Sequence, residues 1–212
     1  MKLVCGLGNP GPQYVGTRHN MGFVVVEAFA NSFRPTWRDR WDARVARVEY
    51  RGEDLLIFEP QTFMNLSGTA ARQVAGFYKI PPADLLVVHD EVDLPLGRVR
   101  VRQGGGDAGH KGIRSVMQNL GTGDFGRVRV GIGRPSHPDQ EVTDYVLGRF
   151  SVEENDLFDQ AIAKAVIGIG EWVLGGVTRA QNRVNRRERT QETPSCPEPE
   201  EDSGPSVQEE DS

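Results

Sequence analysis

Leu85 to His89 reads as one continuous strand whose apolar residues fall on both faces, and the run ends on Asp90. Such a strand is stable only at a central position in a sheet covered on both sides, because each face must be removed from water. Lys2 to Leu7 repeats the pattern and closes on glycine. Apolar residues at helical spacing predict helices over Met21 to Phe33, Ser67 to Lys79, Lys111 to Leu120, Val152 to Leu174 and Thr178 to Arg189, with Asn20 as a cap for the first. Ala43 to Tyr50 and Leu55 to Phe58 flank Arg51-Gly52 and predict a hairpin. Arg98 to Gln103 and Arg127 to Ile132 alternate, with arginines on one face and valines on the other. Strands interleaved with helices imply a single α/β domain over 1–189: a twisted mixed β-sheet covered by helices on both faces, in three layers.

The formal charge of −5 hides an asymmetry. Residues 190–212 carry eight acids and no base, which leaves 22 acids against 25 bases in the rest of the 212-residue chain. Proline, glutamate, aspartate and serine dominate that end, and the expectation is a disordered acidic tail. The basic body has two arginine clusters, Arg98-Val99-Arg100-Val101-Arg102 and the five arginines from Arg179 to Arg189. Each fits a polyanionic partner, and each fits a solvated face equally well. The two cysteines, Cys5 in a strand and Cys196 in the tail, make no disulfide framework. With no signal peptide and no apolar run approaching 18 residues, the expected location is the cytosol.

Gly6-Leu7-Gly8-Asn9-Pro10-Gly11 has the spacing of a dinucleotide fingerprint. That fingerprint must open a helix, and Pro10, Gly11 and Pro12 prevent one, so dinucleotide binding is rejected. The glycines and prolines pin Asn9 at the end of a strand instead. Gly104 to Gly109 fails the P-loop spacing, because His110 stands where lysine is required and no Ser or Thr follows Lys111. An anion-binding turn and an unliganded loop both remain open there. The four histidines, His19, His89, His110 and His137, show no ligand spacing, and no metal is expected. G-x-S-x-G is missing and Cys5 is expected to be buried, which leaves water as the nucleophile. His19 in its loop, Asn9 and Asp90 at strand ends, and Asn65 before a helix stand at element boundaries, where sheet folds gather functional groups.

Four blocks then speak together: GLGNPGPQYVGTRHNMGF, QTFMNLSG from Gln61, HDEVDLPLG from His89 and GGGDAGHKGIRS. Jointly and in order they resemble bacterial peptidyl-tRNA hydrolase, from about Leu3 to Arg189. The resemblance implies cleavage of the ester between a peptide and the 3′-terminal ribose of tRNA, which recycles tRNA from prematurely released peptidyl-tRNA. It implies that His19 is the catalytic base, that Asp90 holds it, and that Asn9 separates N-blocked from free aminoacyl esters. Tyr14, Phe63 and Asn65 match positions at the substrate's 3′ end, and Met64 and His110 join that substrate-binding set. Arg102 and Arg129 fall where tRNA phosphates are bound, and Pro135 to Leu147 matches a mobile loop near the cleft. One position departs: Lys111 stands where the family usually has asparagine, so that residue's hydrogen-bonding role does not transfer, and a lysine would act as a point charge.

The chemistry suits these residues. An imidazole is a base near neutral pH, and a carboxylate on its other nitrogen sets the tautomer and raises its basicity. Side-chain amides at Asn9 and Asn65 are suitable donors for an oxyanion. The expected protein is a cofactor-free monomeric hydrolase acting on peptidyl-tRNA, with no membrane contact. The rival is a catalytically inactive RNA-binding relative acting in RNA processing, which Lys111 keeps open.

Overall fold

The computed structural model describes residues 1–135 and 139–186. Residues 190–212, the expected tail, and His137 lie outside the described residues. Among the described residues there are seven strands, β1 (Lys2–Gly6), β2 (Arg38–Arg40), β3 (Ala43–Tyr50), β4 (Glu53–Pro60), β5 (Leu85–Glu91), β6 (Val99–Gln103) and β7 (Gly126–Gly131). They form one sheet in the order β2-β3-β4-β1-β5-β7-β6. The four central strands β4, β1, β5 and β7 are mutually parallel, and β2, β3 and β6 are antiparallel to their neighbours. All seven residues of β5 are buried, as a strand apolar on both faces requires.

Two apolar clusters lie on opposite faces of the sheet. Helix α1 (Met21–Asn31) and the long C-terminal α5 (Asn155–Val184) cover one face, over Val4, Ile57, Val88 and Val128. Helices α2 (Ser67–Tyr78) and α3 (Lys111–Leu120) cover the other, over Leu3, Cys5, Phe58 and Val87. The three-layer α/β/α expectation is met. Glycine permits the closest approaches: a Cβ on Gly22 would lie 2.3 Å from Leu7 N and 2.4 Å from Val88 O. The first turn of α1 is thereby pressed onto β1 and β5, and the residues just before it are brought to the end of β5. Gly68 does the same for α2 against Ser115 of α3.

Some elements differ from the sequence expectation. The two terminal helices run as one, but Gly175 and Gly176 leave helical geometry, so the chain still bends where two helices were expected. By length and composition the stretch Val152–Val184 would pass for a membrane span. Its Ala161, Ala165, Ile169, Trp172 and Val173 are buried against the sheet, which accounts for its apolarity without a bilayer. The short edge strand β2 and the helix α4 (Val142–Leu147) carry too few periodic residues to be read from sequence. At the other edge, the Asn185 side chain accepts from Val101 N and donates to Val101 O, which covers part of the free edge of β6.

Candidate active site

A cleft of about 740 Å³ opens at the C-terminal ends of the parallel strands, where open α/β sheets hold their ligands. Asn9, His19, Phe63, Met64, Asn65, Asp90, His110 and Lys111 all line it. These residues come from four separate segments, so the fold assembles most of the expected site. Tyr14, Arg102 and Arg129 are not among the lining residues. Val92, Val142, Val146 and Leu147 add an apolar wall, and among the described residues no serine or cysteine lines the cavity. Cys5 is fully buried in β1, and burial followed by the charge of Glu59 pushes its thiol well above the usual range. Cys5 is thereby unsuited to act as a thiolate nucleophile.

His19 sits in a single 3-10 turn, Arg18–Asn20, immediately before α1. Its Nδ1 lies 3.0 Å from both carboxylate oxygens of Asp90, which is only 2 % exposed at the end of β5. Asp90 has a second imidazole partner: His110 Nε2 lies 2.9 Å from Oδ1. His110 is also the N-cap of α3, its Nδ1 accepting from Gly112 N at 3.1 Å and Ile113 N at 3.3 Å. Because Nδ1 accepts, the proton of the neutral ring is on Nε2 and is donated to Asp90. His19 then donates Nδ1–H to the same carboxylate, and its Nε2 keeps the lone pair. The base is therefore oriented by a helix cap two residues removed from it.

Burial and Lys111 oppose protonation of His19, but the charge and hydrogen bonds of Asp90 outweigh them, and its pKa stands above the ordinary imidazole value. Burial alone would raise Asp90, yet the imidazoles of His19 and His110 hold its carboxyl far below the usual range. The donor atoms of His19, Asp90 and His110 lie within 4.8 Å of one another, close enough to suggest a metal triad. His110 cannot serve as a ligand there without moving its proton to Nδ1, against two backbone N–H donors. The donor set fits a hydrogen-bond relay and does not fit an ion.

Asn9 is held on both sides. Its backbone N donates to Asn20 Oδ1 at 2.8 Å, and its carbonyl accepts from Asn20 Nδ2 at 3.0 Å. Its own Oδ1 accepts from Met64 N at 2.8 Å, which turns Nδ2 outward as a donor. Asn20 was expected to cap α1; its side chain makes no cap bond and brackets Asn9 instead. Sequence reading missed both that role and the relay through His110. The adjacency of Asn20 to His19 was the available signal, but the partner is eleven residues away in sequence.

The basic face is formed by pairing: Arg100 stands opposite Arg129, and Arg102 opposite Arg127. Like charges directly opposite weaken a strand pair. Arg129 is offset by Glu91 Oε2 at 2.8 Å. Arg127 is buried and donates to the carbonyls of Gly105 and Gly106 at 2.6 Å each, with its pKa lowered to about 10 by burial, then by Arg102 and Arg129. The glycine-rich turn is thus committed to the protein: Asp107 takes the N–H groups of Gly109 and His110. It delivers His110 to Asp90.

Fold and cleft together define a class: a three-layer α/β protein whose site is an imidazole backed by a buried carboxylate, with no serine or cysteine among the described residues that line it. That is the equipment of a hydrolase that activates water. The comparisons narrow it. The family model for peptidyl-tRNA hydrolase matches residues 3–193. A peptidyl-tRNA hydrolase of Desulfitobacterium hafniense is 44% identical over 186 residues, covering 88% of this chain and 100% of that one. One from Levilactobacillus brevis is 47% identical over 177 residues, covering 82% and 94%. The crystal structure of peptidyl-tRNA hydrolase from Acinetobacter baumannii superposes with a TM-score of 0.83 at 36% identity, covering 89% of this chain and 96% of that one. The chain belongs to the peptidyl-tRNA hydrolase family.

Proposed function

We propose that this protein hydrolyses the ester joining a peptide to the 3′-terminal ribose of tRNA, with His19 Nε2 as general base on water. The observation that carries the mechanism is the relay from α3 through His110 and Asp90 to His19, which leaves one lone pair directed at the cleft. Water loses its proton to Nε2 as its oxygen bonds to the ester carbonyl, and the imidazolium formed is stabilised by Asp90. The ribose oxygen leaves as the tetrahedral intermediate collapses and is protonated by the imidazolium. General-base assistance of this kind supplies roughly 10²–10⁴-fold.

Asn9 Nδ2 is the donor best prepared for the carbonyl oxygen, because Met64 and Asn20 already fix its amide. A preorganised donor of this sort is worth on the order of 3 kcal/mol. The same amide would pair with a peptide carbonyl and meet a free ammonium poorly, which favours N-blocked substrates. Phe63, Met64, Asn65, His110 and Lys111 bind the 3′ end and the acyl group in the cleft. Tyr14, Arg102 and Arg129 act outside it, the arginines on backbone phosphates and without reading sequence. The half-exposed arginines Arg100 and Arg102 on β6 support a polyanionic partner for that face. The protein acts as a cytoplasmic monomer without cofactor, in 1–189, with the acidic 190–212 segment outside the catalytic domain.

Single-turnover cleavage of N-acetyl-aminoacyl-tRNA tests the reading. The protein is expected to release free tRNA, and His19→Ala to abolish release while still binding tRNA. Near-normal turnover by His19→Ala would refute the base assignment. Absence of cleavage by the unmodified protein would return it to an RNA-binding role.

A further inference from the structure

The turn that carries His19 holds a second charged side chain that the reaction leaves unused. Arg18 points away from the cleft and is 7 % exposed. Its guanidinium lies between the rings of Tyr145 and Phe150, 4.5 Å from each centroid. Its Nη2 donates to Glu154 Oε2 at 2.7 Å, and its backbone N donates to Gly148 O at 2.9 Å. The preceding Thr17 pairs with Arg149 as an isolated β-bridge. Tyr145 in turn donates its hydroxyl to Ile132 O at 2.6 Å, and Glu154 closes a capping box with Ser151 ahead of α5.

These contacts join the catalytic turn to both flanks of α4. That helix supplies Val142, Thr143, Val146 and Leu147 to the cleft wall. Packing alone does not account for an arginine here, since Nη1 is buried with no hydrogen-bond partner. An apolar side chain between two rings would avoid that loss. What only arginine supplies is a planar cation that stacks on two rings while donating in its plane to a carboxylate.

We propose that Arg18 is a positioning residue for the reaction: it sets the separation between His19 and the α4 wall, so that an acyl chain lying on that wall presents its ester to His19 Nε2. The inference rests on the hydrolase reading above. Arg18→Lys keeps the charge and loses the two-sided stacking; Glu154→Gln keeps the stacking and loses the ion pair. Neither touches Asp90, His110 or Lys111, the charged or titratable groups that face His19.

The test is single-turnover hydrolysis of N-acetyl-aminoacyl-tRNA across pH, with melting temperature and uncharged-tRNA binding measured on the same samples. Arg18→Lys is expected to lower kcat about 10- to 100-fold, the scale of a misplacement near 1 Å, and to raise KM. The acid limb should move to lower pH as His19 loosens from Asp90, while uncharged tRNA binds as before. Glu154→Gln should show the same signs more weakly, and decides the matter if Arg18→Lys does not fold. Folded variants with unchanged kcat and acid limb, altered only in melting temperature, would overturn the proposal and leave Arg18 a structural clamp. An unmodified protein that fails to cleave would overturn the hydrolase reading instead.

Discussion

Asp90→Asn probes the relay most directly, because the structure says which imidazole must lose. The carboxylate receives two N–H donors, His110 Nε2 on Oδ1 at 2.9 Å and His19 Nδ1 at 3.0 Å from both oxygens. An asparagine keeps one acceptor. His110 cannot change tautomer, since Gly112 N and Ile113 N both point at its Nδ1. The amide oxygen therefore stays with His110, and an NH2 group takes the place of Oδ2, facing His19 Nδ1. With one of its two acceptor oxygens lost, His19 Nδ1–H is held less firmly, and the tautomer with the proton on Nε2, the atom that must accept from water, gains. Loss of general-base assistance, about 10²–10⁴-fold, corresponds to about 3–5.5 kcal/mol at about 1.36 kcal/mol per decade. Inversion of a tautomer in a comparable acid–histidine pair costs about 10⁴ in kcat, so the expected fall is about 10³–10⁴. Single-turnover hydrolysis at saturating enzyme reads this loss without contamination from product release. Folding should survive, because the change is isosteric and removes a charge that is 2 % exposed. A well-folded Asp90→Asn variant within about ten-fold of the parent would refute the relay.

Two further outcomes follow from other groups. Asn9→Asp keeps an acceptor for Met64 N and removes the outward donor, so kcat should fall about 10²–10³-fold in the same assay with the melting temperature little changed. Glu59 is fully buried beside Arg44, and burial, then Glu27, raises its pKa to about 8, with Arg44 opposing. A raised acid holds its proton in the folded state after the unfolded chain has lost it, so its contribution is complete below the ordinary carboxylate value of 4.5 and is lost as pH rises towards about 8. Glu59→Gln should therefore melt progressively higher than the parent between these limits; a melting difference independent of pH across them would contradict that assignment.

Much of the fold was legible because its signals are local. Residues apolar on both faces mark β5 as central whatever surrounds it, and Arg51-Gly52 closes a hairpin by its own geometry, both residues having positive φ. β2 and α4 were not legible: three and six residues hold too little periodicity to stand out from a loop. The site was legible as a set of residue types at element boundaries and through the resemblance its blocks carry. Its internal wiring was not. Asn20 has the look of a helix cap, and only the approach of the Asn9 backbone gives it a different use.

By itself, the sequence determined a three-layer α/β sheet protein with His19, Asn9, Asn65 and Asp90 at its element ends, since hydrophobic burial and turn chemistry act on neighbours along the chain. Only the tertiary structure decided the protonation pattern and the shape of the cleft. The strand order sets β5 beside β1, which brings Asp90 to a histidine 71 residues away. The start of α3 then supplies a second imidazole, and backbone N–H groups of that helix choose its tautomer. Arg18 likewise reaches Glu154 across 136 residues to tie the base to the cleft wall. Hydrogen bonds act over about 3 Å and demand direction, so their partners are settled only when distant segments have packed.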